Sequence, residues 1–231
     1  MTHPPDPASL QKRAFQGLAQ FLGALAIMLF LPAWSLRYWQ GWIFWGEFSA
    51  LVIWITLYFL KKDPALIERR LKAGPGAEKE KIQKVIQTFA SLCFIALIIS
   101  SAFDYRFGWS RIPRYLVGTG DVLVALGLVI VFLVFRENSY TSGIIEIGWN
   151  QTVISTGPYR VVRHPMYAGA LLMLIGVPWA LGSWWGLCFC VPLTGLIVWR
   201  LTNEEKYLLA NLAGYDQYCS RTTYRLVPRI Y

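Results

Sequence analysis

The sequence predicts an all-α, polytopic membrane bundle of about six spans, with five as the runner-up. Three observations carry this. Only 15% of its 231 residues are charged, against about 25% in a soluble domain. The mean hydropathy is +0.42, and uncharged stretches recur near the roughly 20 apolar residues that a helix needs to cross a bilayer. Eleven tryptophans and twelve tyrosines suit the two membrane interfaces, where an apolar ring with a polar edge is at home.

Taken in order, residues 14–36 are free of acids and bases until Arg37 and fill the first span. The run is too long for the core of a cleavable signal peptide and ends in Pro32 and Trp34, so it reads as retained. Gln40 and Gly41 read as a tight turn, and residues 42–60 as a second span with Glu47 inside it. Residues 61–84 form a charged loop broken at Gly74-Pro75-Gly76, with a short surface helix expected on each side. Residues 85–103 make a third span, 104–114 a short connection, and 115–135 a fourth span with Asp121 near its start. Residues 136–165 are polar, and about 30 residues is long for a connector, which marks them as functional. Residues 166–199 carry no charge, and Pro178, Gly182, Ser183 and Gly186 at their middle predict a hairpin of two spans. Gly169, Ala170, Gly176, Gly182, Gly186 and Gly195 are expected to ease close contact within that hairpin. Arg200 closes it, and 201–231 read as an amphipathic tail with Leu201, Leu208, Leu209 and Leu212 on one face. The chain thus divides into 1–135, membrane spans with the charged loop, and 136–231, a core carrying the chemistry.

Charge sets the expected orientation. Six spans put both termini on one side, which then receives all 22 Lys and Arg except Arg37, Arg106, Arg111 and Arg114. Positive residues collect on the cytoplasmic side, so both termini and the 136–165 segment are expected there. The net charge of +9 has the same explanation, and no basic face with interleaved aromatics calls for nucleic acid. Cys93, Cys188, Cys190 and Cys219 form no CxxC pair and have no companion histidine, so neither a metal site nor a disulfide framework is expected. A phosphate-binding loop, a dinucleotide fingerprint and a GxSxG elbow are all missing.

The chemistry concentrates in 151–169, QTVISTGPYRVVRHPMYAG. Two prolines, Pro158 and Pro165, hold the residues before them extended, so Tyr159, Arg160, Arg163 and His164 sit on a short segment entering the fifth span. Free amides at the start of that helix suit an anion. On the residues alone, Arg160 and Arg163 read first as snorkelling to headgroups. In the tail, Arg200 and Glu204 are four apart and share a helix face. One reading is a surface ion pair with Glu205 solvated; the other is a guanidinium orienting an anionic substrate beside a carboxylate for a cationic cofactor. Glu47 and Asp121 are in-span acids that either line a cavity or serve helix contacts.

The run GPYRVVRHPMYAG, the apolar hairpin, then R-x3-EE-x2-L and GYDQY resemble the isoprenylcysteine carboxyl methyltransferase family of integral membrane enzymes, to which phospholipid and small-thiol methyltransferases are related. The likeness covers residues 136–231 and favours a bacterial-type, inner-membrane member through LAGYDQY and YRLVPRIY. It implies S-adenosylmethionine-dependent methyl transfer, with carboxyl O-methylation as the default, to a lipophilic or lipidated acceptor at the cytoplasmic face. It further implies cofactor contacts at Gln151, Thr152, Val153, Ile154, Tyr159, His164, Pro165, Met166, Tyr167 and Glu204. Arg200 and Glu204 stand as the catalytic pair, with Arg200 orienting the substrate. The sulfonium of the cofactor suits a carboxylate and aromatic faces, and its own carboxylate suits backbone amides and His164. Two other readings compete. One is a sterol-reductase-like enzyme using a nicotinamide cofactor; the other is a membrane transporter or scaffold with Glu47 and Asp121 on its pathway.

Overall fold

The computed structural model describes residues 7–78, 80–148 and 150–231; the proline-rich residues 1–6, Lys79 of the charged loop and Trp149 lie outside them. The described residues form helices and turns, with no strand among them. The helices are α1 (Pro7–Ala33), α2 (Trp39–Lys62), α3 (Pro64–Leu71), α4 (Lys81–Phe107), α5 (Arg114–Glu137), α6 (Pro165–Ala180), α7 (Cys190–Asn211) and α8 (Tyr215–Arg221). Short 3-10 turns at Gly157–Arg160 and Trp185–Phe189 precede α6 and α7. Five helical stretches are long and apolar enough to cross a membrane: α1, α2, α4, α5 and Trp185–Asn211. Each also turns large apolar side chains outward, among them Ile27, Trp54, Leu92, Val122 and Val191. Such faces require lipid, not water, and the molecule is a polytopic helical membrane bundle.

The expected sixth full span is corrected. The hairpin exists, but α6 has only 16 residues, about 24 Å at 1.5 Å per residue, short of the roughly 30 Å hydrocarbon core. Pro178 lies in its last turn and Gly182, at φ 72°, ends it. It still joins the two ends of the bundle. His164 at its start lies by Glu205 of α7, while Leu181 at its end accepts a hydrogen bond of 2.7 Å from the Tyr38 hydroxyl just before α2.

The core follows from helical spacing: Leu22, Leu25, Leu29 and Ala33 of α1 are buried at intervals of three and four, one stripe of the helix. The tightest contact is between α5 and α6. Gly120 meets Gly176 and Gly127 meets Gly169, so a Cβ on Gly120 would fall 2.2 Å from the Ala180 nitrogen, and one on Gly127 2.6 Å from the Gly169 carbonyl oxygen. Backbones can approach this closely only where side chains are absent. Gly169 and Gly176 therefore serve α5, not contact within the hairpin, and Gly195 has open space around it.

Other expectations also shift. Gln40 and Gly41 lie inside the first turn of α2, where Gly41 makes room for the Tyr38 ring; the reversal itself occurs at residues 34–38. The charged loop carries one surface helix, α3, capped by an Asp63 carboxylate accepting from the Leu66 amide at 3.0 Å. Beyond Gly74 (φ 91°), α4 begins directly at Lys81. Helix α7 continues eleven residues past Arg200, to Asn211, so Arg200, Glu204 and Glu205 ride on the rigid end of a span. Leu201 on it and Leu212 just past its end are buried, whereas Leu209 is exposed.

At the Tyr38 end, Asp104 of α4 is buried and closed off. It accepts from the Ser110 amide (2.6 Å), the Ser110 hydroxyl (2.6 Å) and the Ser183 hydroxyl (2.5 Å). The N-terminal turns of α1, the loop after α3, and the C-terminal tail gather at the opposite end, where Arg13 faces Glu68 at 4.0 Å and Arg163 donates to the Thr222 carbonyl at 3.2 Å.

Candidate functional site

The site is built where 157–167 crosses α7. Pro165 occupies the first turn of α6, where the missing amide hydrogen costs nothing, and His164 before it is held non-helical. The amides of Met166 and Tyr167 fall in the first turn and have no acceptor within the helix. Upstream, Gly157 at φ 56° packs against Glu137, whose carboxylate accepts the Thr156 hydroxyl. Tyr159 accepts from Asn138 Nδ2 at 3.0 Å, and its carbonyl accepts from the Tyr218 hydroxyl at 2.7 Å. Burial lifts the Tyr159 phenol to about 12, so it stays protonated.

Glu205 is a buried hub, which corrects its reading as a solvated residue. Its Oε1 receives Arg163 Nε at 2.6 Å and lies 3.3 Å from His164 Nε2; its Oε2 receives Arg225 Nε at 2.7 Å. Two strand-like hydrogen bonds, from the Arg163 amide to the Tyr224 carbonyl and from the His164 amide to the Arg225 carbonyl, both 2.9 Å, tie the tail alongside. Arg163 therefore does not snorkel to lipid: its guanidinium holds the tail to α7. The hydrogen bond to Glu205 raises the Arg225 pKa, securing that charge. Arg160, by contrast, is exposed.

A second network runs through Arg200 and Glu204. Arg200 Nη2 pairs with Glu78 Oε1 at 2.7 Å and reaches the Gly143 carbonyl at 3.3 Å, while Nη1 donates to Gln83 Oε1 at 3.1 Å. Its Nε donates to the Tyr167 hydroxyl at 3.1 Å, and that hydroxyl donates to Glu204 Oε2 at 2.6 Å. Glu78, only 3% exposed, also receives Gln87 Nε2 at 2.6 Å. The charge of Arg200 is thus already met by a well-held carboxylate. Among the described contacts the Glu204 carboxylate accepts one hydrogen bond, from the Tyr167 phenol, which leaves it acceptor capacity toward the space beside it.

Both networks wall one cavity of about 720 Å³. Gln151, Thr152, Val153, Ile154, Tyr159, His164, Pro165, Met166, Tyr167, Arg200 and Glu204 all line it. Leu212, Tyr215 and Tyr218 of the tail complete the polar end, over an apolar cluster with Ile147, Val153 and Leu208. The opposite end runs into the bundle between Phe48, Phe94, Leu128, Val131, Leu193 and Ile197. The Tyr215 hydroxyl is buried with no hydrogen-bond partner among the described residues, and burial pushes its pKa well up. Glu47 and Asp121 line no part of this cavity. No group of three or more potential metal ligands occurs among the described residues.

Sequence reasoning missed Glu78, Arg70, Asn138 and Tyr215. Glu78 sits in a lysine-rich loop that reads as solvated, so no local pattern exposes it. Arg70 closes a short surface helix. Tyr215 was visible only as part of the GYDQY motif.

With this geometry in place, comparison with known proteins adds a similarity over part of the chain. Residues 114–213 match the phospholipid methyltransferase family. That stretch runs from the start of α5 to just beyond α7 and carries Tyr159, His164, Tyr167, Arg200 and Glu204. Over 109 residues the chain is also 29% identical to the delta(14)-sterol reductase TM7SF2 of Mus musculus, covering 42% of this chain and 25% of that protein. The chain thus spans about a quarter of that relative's length. The stretch matched to the methyltransferase family supplies most of the cavity lining; the rest comes from α2, α3 and the loop after it, α4, and Tyr215 and Tyr218 of α8.

Proposed function

We propose that the polar end of this cavity binds S-adenosylmethionine and that the protein methylates a lipophilic or lipidated acceptor occupying the apolar end. The observation that carries the reading is the cavity itself. Residues named from the motifs meet around one space whose far end is lined by spans, and the family match covers the same stretch. When bound, the cofactor supplies a methyl group on a sulfonium, passed by in-line displacement to a nucleophile. The residues fit such a group. Glu204, held among the described residues by the Tyr167 phenol, suits a cation, as do the faces of Tyr159 and Tyr218. The orphaned Tyr215 hydroxyl and the Met166 and Tyr167 amides suit the polar ends of an amino acid or nucleoside. Most of the rate then comes from positioning and exclusion of water.

The acceptor enters from the bilayer and the cofactor from the cytoplasm, with both termini on that side, a reading supported by the asymmetry of positive charge. An isoprenylcysteine-type carboxylate is the acceptor that the motifs favour; a phospholipid is the one that the name of the matched family supplies. Carboxyl methylation needs no general base, whereas an amine or thiol must lose its proton.

A second reading, a nicotinamide-dependent reductase, is favoured by the similarity to TM7SF2. Calorimetric titration of detergent-purified protein with S-adenosylhomocysteine and, separately, with NADPH decides between them. Saturable binding of the first, weakened in Glu204→Gln, supports the methyltransferase; binding of NADPH alone overturns it.

A further inference from the structure

Two arginines line the cavity where the loop after α3 meets the loop after α5, and they differ in one respect. Arg200 is paired with Glu78 at 2.7 Å. Arg70 has no carboxylate within ion-pair distance among the described residues. One of its nitrogens, Nη1, donates to the Ser142 carbonyl at 2.8 Å, and the guanidinium lies over the Phe135 ring at 5.1 Å. It lines the same wall as Ala73, Gly74, Gln87, Ser142 and Gly143. That wall is held shut by close packing: a Cβ on Gly143 would sit 2.5 Å from the Lys72 carbonyl oxygen.

A guanidinium has five N–H donors in a planar fork. A neutral carbonyl and a ring face leave most of this capacity unused, and removing such a charge from water without a counter-charge is costly. Burial, reinforced by the Arg200 charge nearby, lowers the Arg70 pKa, the sign expected for a cation lacking a partner. The wall is formed by α3 and the loops after α3 and α5, whereas Tyr215 and Tyr218 of α8 line the end proposed for the cofactor. It lies just past the end of α2, from which Phe48 contributes to the apolar part of the cavity.

We propose that Arg70 is the anion receptor of the acceptor: it takes the carboxylate or phosphate of an amphiphile whose chain runs between Phe48, Phe94, Leu128 and Ile197. This deepens the methyltransferase reading and rests on it for the word acceptor. It also moves the anion from Arg200, which Glu78 already satisfies, to the neighbouring arginine. Arg70 is here a specificity-determining residue, and the reacting atom is not assigned.

The test measures binding of dodecyl phosphate, dodecanoate and uncharged dodecanamide to the full chain in a fixed excess of neutral maltoside micelles. Wild type, Arg70→Gln and Arg70→Lys are compared, so that partition into detergent cancels, with and without S-adenosylhomocysteine. We expect wild type to prefer the two anions over the amide by about tenfold or more. Arg70→Gln abolishes that preference while leaving S-adenosylhomocysteine affinity unchanged. Arg70→Lys, which keeps the charge but loses the fork, retains part of it and carries the test should the glutamine variant not fold. The proposal is overturned if wild type shows no preference, or if the preference survives in both variants. It is equally overturned if Arg70→Gln folds but loses S-adenosylhomocysteine binding, which would make the cofactor the source of the anion. Failure of wild type to bind S-adenosylhomocysteine, with the anion preference intact, counts against the methyltransferase reading and not against Arg70.

Discussion

Asp104 at one end of the bundle is buried and Glu204 at the other is half-buried, and the two are treated differently. Asp104 takes three short hydrogen bonds from two serines and an amide, and lines no part of the cavity. Glu204 takes one, from the Tyr167 phenol, and lines the cavity. Glu205, one residue on, lies about 100° further round the helix and is fully enclosed by Arg163, Arg225 and His164. The difference teaches where structure stops and chemistry starts. A satisfied carboxylate holds elements together, whereas one with spare capacity beside a cavity is available to a ligand. Asp104 and Glu205 are therefore architectural, and Glu204 is the member that faces the cavity.

The comparison can be broken most forcefully at Glu205. Glu205→Ala strands the well-covered guanidinium of Arg163 and frees the partly exposed Arg225; it should cost about 3–5 kcal/mol, read as a loss of stability in detergent denaturation. The tail should become protease-sensitive at the same time. Gly127→Ala, which drives a Cβ into the Gly169 carbonyl, should cost about 1–3 kcal/mol in the same assay by forcing α5 from α6. Asp104→Asn should cost about 1–3 kcal/mol and leave S-adenosylhomocysteine affinity unaltered; a loss of affinity there would erase the distinction between the two ends. Glu204→Gln is the converse. It should weaken S-adenosylhomocysteine by roughly tenfold, about 1.4 kcal/mol, in calorimetry, with little change in stability. Smallest of all, Arg13→Ala removes an exposed pair with Glu68 at 4.0 Å and should change stability by less than about 1 kcal/mol.

Much of this was legible in the sequence because lipid imposes a simple rule. A spanning segment must be apolar and must satisfy its own backbone, so five long helices announce themselves by hydropathy. The motif residues from Gln151 to Tyr167, with Arg200 and Glu204, were legible as a group, and they do meet around one cavity. What could not be read was direction. Arg200 looked like the exit from the membrane, yet α7 continues to Asn211 because the tail and Arg163 shield its charged turns. Glu204 and Glu205 are identical in sequence terms, and only packing decides that one faces the cavity and the other the tail. Glu78 gave no signal, since a glutamate among lysines reads as solvated until Arg200 is brought to it across the fold. The glycines of α6 were read against the wrong neighbour because spacing reveals a smooth face without naming what lies against it.

The most direct test is photolabelling of the membrane-embedded protein with methyl-tritiated S-adenosylmethionine, followed by peptide mapping. The account predicts label in peptides spanning 151–167 and 200–218, removed by excess S-adenosylhomocysteine and unaffected by NADPH. Label that NADPH displaces, or folded protein that takes up none, would contradict it.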